Sequence, residues 1–255
     1  MASTSDEGTS RDAFLGGRLM LRQPLRGYRA GTDPVLLAAA VPARAGESVL
    51  ELGCGAGAAL LCLGTRVPGL RLAGLELQPD YAALARANAA ENGLEAEIHE
   101  GDLTEMPATL KAQSFNHVIA NPPFFAAGSG KAAEDPGRET GRREAAPLAL
   151  WVEAGARRLA PRGRMTLLLP AERLAAALVA AEGRLGAPEV LPLAARTGRA
   201  ASRVILRFRK GGRAGLRLLA PVILHEGARH ERDEDSFTEI VEAVLRGAAA
   251  LPFKD

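Results

Sequence analysis

Residues 48–57 read Ser-Val-Leu-Glu-Leu-Gly-Cys-Gly-Ala-Gly, an apolar run that passes into alternating glycines. The apolar run predicts a buried strand over 48–52, and the apolar residues after the glycines predict a helix over 58–66. Because glycine has no Cβ, a glycine-rich turn can bend tightly and let a ligand approach its backbone. The stretch therefore predicts an α/β fold with a ligand-binding turn at the carboxyl end of its first parallel strand.

The spacing within this turn indicates the kind of ligand. An acid, Glu51, precedes Gly53, Gly55 and Gly57, whereas a dinucleotide-binding turn has the order Gly-x-Gly-x-x-Gly. A carboxylate repels a pyrophosphate and attracts an ammonium group. The turn therefore favours a cofactor that carries an amino-acid group and disfavours a dehydrogenase.

Two further acids follow the next two predicted strands. Glu76 follows the strand predicted over 70–75, and Asp102 follows the strand predicted over 96–99. A carboxylate at the first of these positions can accept hydrogen bonds from both hydroxyls of a ribose. An acid at the second can accept one from an adenine amine. Together with the glycine turn, the acids at three successive strand ends predict one cofactor site.

Strands and helices alternate along the rest of the chain. Helices are predicted over 78–92, 147–159, 172–184 and 235–245, and the other strands over 115–120, 164–169, 190–195, 204–209 and 216–224. Single helices between strands indicate βαβ units, whereas the strands over 190–195 and 204–209 lack a helix between them and must be antiparallel. The predicted fold is α/β and Rossmann-like: a seven-stranded, mostly parallel sheet with an antiparallel terminal hairpin and a small N-terminal extension.

The same pattern divides the chain into four regions. Residues 1–12 are polar and are expected to be disordered. Residues 13–46 should form a hairpin and a helix that covers the cofactor, with the helix beginning near Pro34 and Thr32 or Asp33 as its cap. The core spans 47–210, and 211–255 form a C-terminal extension packed on it.

Composition limits the class of protein. The chain has 255 residues, 47% of them apolar, which suffices for one substantial core. Two cysteines are too few for a disulfide framework, the polar N-terminus lacks a signal region, and no apolar run is long enough to span a membrane. The four histidines have no metal-ligand spacing. We expect a soluble, cytoplasmic protein without a metal.

Asn121-Pro122-Pro123-Phe124 ends the strand predicted over 115–120. Two prolines remove two backbone donors and stiffen the turn, which fixes the Asn121 side-chain oxygen and the Pro122 carbonyl as acceptors. A planar amine can donate both of its protons to them while its ring stacks on Phe124. The alternative is an ordinary rigid turn with a Phe in the core, and the cofactor turn upstream favours the first interpretation.

Two basic segments indicate the substrate. The stretch 126–146 is rich in glycine and arginine, and it is long enough to form a lid over the site. The stretch 196–217 contains seven arginines and one lysine but no acid, which suits a phosphate backbone next to the sheet edge. We therefore expect the substrate to be an RNA, bound by Phe124, Phe125, Arg138 and Arg203.

The set formed by residues 51–57, Glu76, Asp102 and 121–124 resembles the class I S-adenosylmethionine-dependent methyltransferases, in particular their amino-methylating branch. Gln23-Pro24, Gly27-Tyr28-Arg29, Asp33 and the tail from 203 to 247 are further similar to the bacterial tRNA(Val) adenine-37 N6-methyltransferases. The resemblance implies that Tyr28, Asp33, Glu51, the three glycines, Glu76, Asp102 and Asn121 bind S-adenosylmethionine. It also implies that Asn121, Pro122 and Phe124 act in methyl transfer to an adenine of tRNA.

Other functions remain compatible with these residues. A ribosomal RNA guanine N2-methyltransferase and a glutamine N5-methyltransferase acting on a release factor use related turns. A binding module for RNA with a degenerate cofactor site is the alternative without catalysis. The intact glycine turn and the Asn-Pro-Pro-Phe sequence favour an enzyme over that module.

Overall fold

A large sheet forms the centre of the computed structural model, which describes residues 8–123, 147–227 and 236–253. Its strands are β3 (Ser48–Leu52), β4 (Arg71–Glu76), β5 (Ala96–Glu100), β6 (Phe115–Ala120), β7 (Leu159–Pro170), β8 (Gly186–Ala194), β9 (Ala201–Arg209), β10 (Arg217–Leu218) and β11 (Val222–Ile223). Two earlier strands, β1 (Thr9–Phe14) and β2 (Leu19–Pro24), form a separate antiparallel hairpin.

The strand order places two strand ends side by side. The sheet runs β10-β8-β9-β7-β6-β3-β4-β5, with β11 also pairing β8. From β3 the chain moves outward to β4 and β5 and then returns to place β6 on the other side of β3, so a crevice forms between β3 and β6. Because Leu52 pairs with Ala120, the glycine turn and Asn121 leave the sheet at the same level.

Seven helices cover the two faces of the sheet in the described residues: α1 (Thr32–Ala40), α2 (Ala58–Arg66), α3 (Pro79–Glu91), α4 (Ala108–Lys111), α5 (Leu148–Arg158), α6 (Leu174–Ala181) and α7 (Glu239–Gly247). One apolar core joins the sheet to α1, α2, α3 and α7, and a second joins it to α4, α5 and α6. Alternating side chains of a strand serve the two cores, as Val49 and Leu50 do in β3.

The structure confirms the predicted α/β class. All seven predicted core strands form, β9 is antiparallel to both β7 and β8, and the hairpin precedes the core. The segment predicted as one strand over 216–224 is instead two short strands, β10 and β11, each parallel to β8. Within the described residues, no helix is long and apolar enough to cross a membrane.

Several boundary predictions are wrong, and three of them are instructive. The hairpin begins at Thr9, inside the range expected to be disordered, because β1 pairs with β2 along its whole length. Helix α1 begins at Thr32 after Gly31, and no side chain caps it. The helix predicted over 172–184 is reduced to α6, which follows a 3-10 turn at Ala171–Arg173. Local sequence signals reveal neither the pairing of β1 with β2 nor the 3-10 turn before α6.

Candidate active site

The glycine turn after β3 adopts a backbone that requires glycine. Gly53, Gly55 and Gly57 have φ values of 65°, 54° and 87°, in the left-handed region that disfavours a Cβ. A Cβ on Gly53 would lie 2.7 Å from the Trp151 ring, whereas one on Gly55 would meet no atom within 4 Å. Gly53 is therefore required by packing, and the space in front of Gly55 lets a ligand approach the main chain.

Glu51 is a buried acid at the base of this turn. Its Oε2 accepts a hydrogen bond from the Leu60 N–H at 2.8 Å, and the side chain is 3% exposed. Burial raises the pKa of Glu51 well above its usual range, and the charge of Glu76 raises it further. Within the described parts of the chain no basic side chain pairs with Glu51, so a ligand's ammonium group would fit beside it.

Glu76 supports the turn from the end of β4. Its two carboxylate oxygens accept hydrogen bonds from the Gly55 N–H at 2.8 Å and from the Gln78 N–H at 2.9 Å. Each carboxylate oxygen has a second lone pair, so both remain able to accept from ribose hydroxyls. Glu76 is thus placed beside Gly55, as its predicted role requires.

Asp102 lies beyond the end of β5 and is exposed. Its Oδ1 accepts hydrogen bonds from the Thr104 N–H at 2.6 Å and from the Thr104 hydroxyl at 2.5 Å. These bonds lower the pKa of Asp102. The carboxylate is therefore charged and fixed in its turn, and its predicted bond to an adenine amine remains a prediction.

Asn121 presents an unpaired acceptor at the end of β6. Its Oδ1 is buried and has no hydrogen-bond partner among the described residues, while Pro122 is buried beside it. A buried carbonyl oxygen without a partner is costly, which indicates a place for a donor from a ligand. Phe124, Phe125 and Arg138 lie outside the described residues, so their predicted contacts with substrate remain predictions.

The segment after the hairpin brings Tyr28 to Asn121. The Tyr81 hydroxyl of α3 accepts a hydrogen bond from the Tyr28 N–H at 2.8 Å and donates one to the Tyr28 carbonyl at 3.0 Å. The Asn121 side chain lies close enough to the Tyr28 hydroxyl to influence its pKa. Although Tyr28 is 48% exposed, burial of its hydroxyl and the charges of Asp33 and Glu51 raise the pKa of Tyr28 to about 12. Tyr28 is therefore neutral at physiological pH.

Asp33 and Arg203 meet at the same edge of the sheet. The Arg203 Nε lies 3.2 Å from the Asp33 Oδ2, joining the first turn of α1 to β9. Arg203 pairs in the sheet with Pro170, the last residue of β7. The structure therefore brings Asp33, Tyr28, Glu51 and Asn121 to one end of the sheet.

The basic stretch 196–217 does not form one surface in the folded protein. Arg196 and Arg207 are buried, and their guanidinium groups donate to the carbonyls of Glu226 and Ala40, respectively. The antiparallel strand β9 carries Arg203 at the carboxyl edge of the sheet and Arg209 at the opposite edge, where it pairs with Arg164. Because β9 crosses the sheet, one run of charge is divided between its two edges and its interior.

Asn88 and Tyr81 on α3 were not predicted to take part in the site. Both are buried, and both bind the main chain of the N-terminal segment. The available signal was a polar side chain on the apolar face of α3. Among the described residues, His, Cys, Asp and Glu form no group of three or more that could hold a metal ion.

The chain resembles known methyltransferases in sequence. A family model described as the methyltransferase small domain matches residues 30–135. A tRNA1(Val) (adenine(37)-N6)-methyltransferase of Porphyromonas gingivalis is 36% identical over 57% of this chain, and the match spans 60% of that relative. One of the same name from Aeromonas hydrophila is 31% identical over 72% of this chain and 77% of its own length.

A solved structure has a similar fold. The structure of a predicted O-methyltransferase from Agrobacterium tumefaciens superposes with a TM-score of 0.69 and 26% identity. The match covers 86% of this chain and 98% of that protein. The similarity therefore extends over most of the fold.

Proposed function

Because the chain belongs to the family of the tRNA1(Val) (adenine(37)-N6)-methyltransferases, we propose that it transfers a methyl group from S-adenosylmethionine to the 6-amino group of an adenine in tRNA. One observation carries the choice of a nitrogen acceptor. The buried Oδ1 of Asn121 has no partner among the described residues and can accept a hydrogen bond from an amine. The names of its relatives agree with a methyltransferase and with tRNA as the substrate.

The residues around the glycine turn fit S-adenosylmethionine. When bound, this cofactor supplies an electrophilic methyl group on a sulfonium. Glu51 would hold its ammonium group, because a buried carboxyl without a basic partner gains most from a cation. Glu76 would accept from the ribose hydroxyls and Asp102 from the adenine amine, while the space in front of Gly55 accommodates the approach of the cofactor to the main chain.

The rigid turn after β6 would prepare the acceptor nitrogen. The lone pair of an exocyclic amine is delocalised into its ring, which makes the amine a weak nucleophile. The Asn121 Oδ1 and the Pro122 carbonyl would accept its two N–H groups, which favours a pyramidal nitrogen with its lone pair directed at the methyl group. Neutral Asn suits this role because the amine does not lose a proton before attack. The remaining contribution is alignment of nitrogen, carbon and sulfur.

The side chains that would hold the base are also part of the proposal. Phe124 would stack on an adenine displaced from its neighbours, and Phe125 and Arg138 would contact the RNA around it. Arg203, at the same edge as Asn121, would face the phosphate backbone. A substrate of this kind exists in the cytoplasm, where we expect the protein to act.

The acceptor can be identified by following the methyl group. The protein is incubated with isotopically labelled S-adenosylmethionine and with total tRNA, ribosomal RNA or a release factor, and each product is digested and analysed by mass spectrometry. We expect label in N6-methyladenosine from tRNA, and none with the Asn121→Ala variant. Label in guanine of ribosomal RNA, in glutamine of the release factor or on an oxygen atom would contradict the proposed acceptor.

A further inference from the structure

Asn88 of α3 and Asn92, which caps the C-terminal end of that helix, bind the free edge of the N-terminal hairpin. The Asn88 Oδ1 accepts from the Arg22 N–H at 2.7 Å, and its Nδ2 donates to the Arg22 carbonyl at 3.0 Å. Asn92 makes the same pair of bonds to Met20, at 2.9 and 2.7 Å. The asparagines are four residues apart on the helix and their partners are two apart on β2, so the carboxamides replace a neighbouring strand.

Asn88 differs from Asn92 by one contact. Its Nδ2 also donates to the carbonyl of Ala56, in the middle of the glycine turn, at 2.9 Å. The second bond from the Nδ2 of Asn92 goes instead to the carbonyl of Asn88, inside the same helix. Asn88 is 0% exposed, and both protons of its amide have an acceptor. Of the two asparagines, Asn88 alone connects the hairpin with the turn.

The hydrogen bond to the Ala56 carbonyl helps to fix the conformation of the glycine turn. This carbonyl shares a rigid peptide plane with the N–H of Gly57, which donates to the Cys54 carbonyl at 2.8 Å. Hydrogen bonds to Asn88 on one side and to Cys54 on the other therefore fix this plane at both ends. Glycine has wide conformational freedom, so a plane that ends at Gly57 needs such bonds to keep one orientation.

We infer that Asn88 is a positioning residue for cofactor binding, which couples the glycine turn to the hairpin through its bonds to Ala56 and Arg22. The hairpin leads directly into the segment that carries Tyr28. The glycine turn and this segment are therefore ordered together. This inference rests on the proposed function, because it assumes that the turn binds S-adenosylmethionine. It adds Asn88, which lies outside the glycine turn, to the residues that determine the affinity for the cofactor.

The Asn88→Ala and Asn92→Ala variants form a matched pair for the test. Both lose the bonds to β2, and only the first also loses the bond to the turn. Calorimetry with S-adenosylmethionine should give a dissociation constant about tenfold higher for Asn88→Ala, whereas Asn92→Ala should change it less than about twofold. Thermal unfolding of the two variants measures the shared structural effect. Equal affinities of the two variants would overturn the inference.

A second measurement uses the unaltered protein and decides the question even if Asn88→Ala does not fold. Saturation with S-adenosylmethionine should slow the hydrogen exchange of backbone amides in β2, including those of Met20 and Arg22, with no change in α6. Unchanged exchange in β2 despite cofactor binding overturns the coupling and leaves the proposed function intact. If the unaltered protein does not bind S-adenosylmethionine at all, both proposals are wrong.

Discussion

The glycine-turn side of the sheet and the β8–β9 side differ in how sequence order relates to position in space. On the first side, Glu51 and Glu76 lie in the last residues of β3 and β4 and Asp102 follows β5, so all three lie at one edge of the sheet. On the second side, a continuous basic run is divided between two edges and the interior. Residues that follow parallel strands converge, whereas residues along an antiparallel hairpin separate.

This difference has a functional consequence. Asn121 follows β6, which is parallel to β3, and it therefore belongs to the same edge as the glycine turn. Of the arginines on β9, only Arg203 lies at that edge, where it pairs with Asp33. The parallel side brings together the residues that we propose to bind the cofactor and the acceptor, and the antiparallel side adds few of its charges to them.

The largest expected effect is on the turnover rate, and it should arise from a substitution at only one end of β6. Asn121→Ala should reduce the turnover rate by about 100-fold or more, because it removes an acceptor aligned with the reacting amine, while S-adenosylmethionine affinity should fall far less. Single-turnover kinetics with labelled cofactor and calorimetry measure the two quantities.

Asn116→Ala is the matched control, since Asn116 lies near the other end of β6 and bonds to Ser48. This control should retain its turnover rate once the loss of stability is taken into account. A full turnover rate in Asn121→Ala would contradict the role assigned to the amide.

The next effect tests the shape of the glycine turn. Gly53→Ala places a Cβ 2.7 Å from the Trp151 ring at a φ of 65°, so the free energy of unfolding should fall by about 1–3 kcal/mol and cofactor binding should weaken. Chemical denaturation and calorimetry measure these changes. Gly215→Ala is the control, because its Cβ would meet no atom within 4 Å. Equal stability of the two variants would show that the turn tolerates a side chain at Gly53.

Glu51 makes a prediction about pH. The unfolded chain loses the Glu51 proton near pH 4.5, whereas the folded protein keeps it to a higher pH. The stability of the cofactor-free protein should therefore fall as the pH rises from 4.5 through the raised pKa. An ammonium group prefers the carboxylate, so cofactor affinity should rise over the same range, by at most about tenfold per pH unit.

Calorimetry at several pH values, and in buffers of different ionisation enthalpy, detects the proton released on binding. Glu51→Gln removes the titrating group and should bind the cofactor weakly at every pH. An affinity of the unaltered protein that does not depend on pH would show that Glu51 is not beside the ammonium group.

The smallest expected effect is on tRNA binding, and it concerns the arginines near the two ends of β9. Arg199→Gln and Arg203→Gln, at or near the carboxyl edge, should each weaken tRNA binding a few-fold and reduce the slope of log affinity against log salt by about 1. Arg209→Gln and Arg213→Gln are the matched pair on the far side of β9. Filter binding at several salt concentrations measures all four. Equal losses from both pairs would mean that the RNA contacts both edges.

The sequence predicted local elements well and distant contacts poorly. The strands Ser48–Leu52 and Phe115–Ala120 and the helix Ala58–Arg66 have the predicted boundaries, because apolar runs end at glycine, proline or charge. The start of β1 at Thr9 depends on pairing with β2, which the local composition does not contain.

The same contrast holds for the site. Glu51, Glu76 and Asn121 were predictable because each ends a parallel strand. The contact of Asn88 with Ala56 was not, because it joins residues 32 positions apart through a tertiary hydrogen bond. The ion pair of Arg203 with Asp33 likewise depends on how β9 lies against α1.

The position of the acceptor nitrogen in a crystal of the protein with S-adenosylhomocysteine and adenosine tests the central claim most directly. We predict that the 6-amino nitrogen lies within hydrogen-bonding distance of the Asn121 Oδ1 and the Pro122 carbonyl, in line with the sulfur above the glycine turn. An adenosine bound elsewhere, with the Asn121 Oδ1 still unpaired in a site occupied by the cofactor product, would contradict the account.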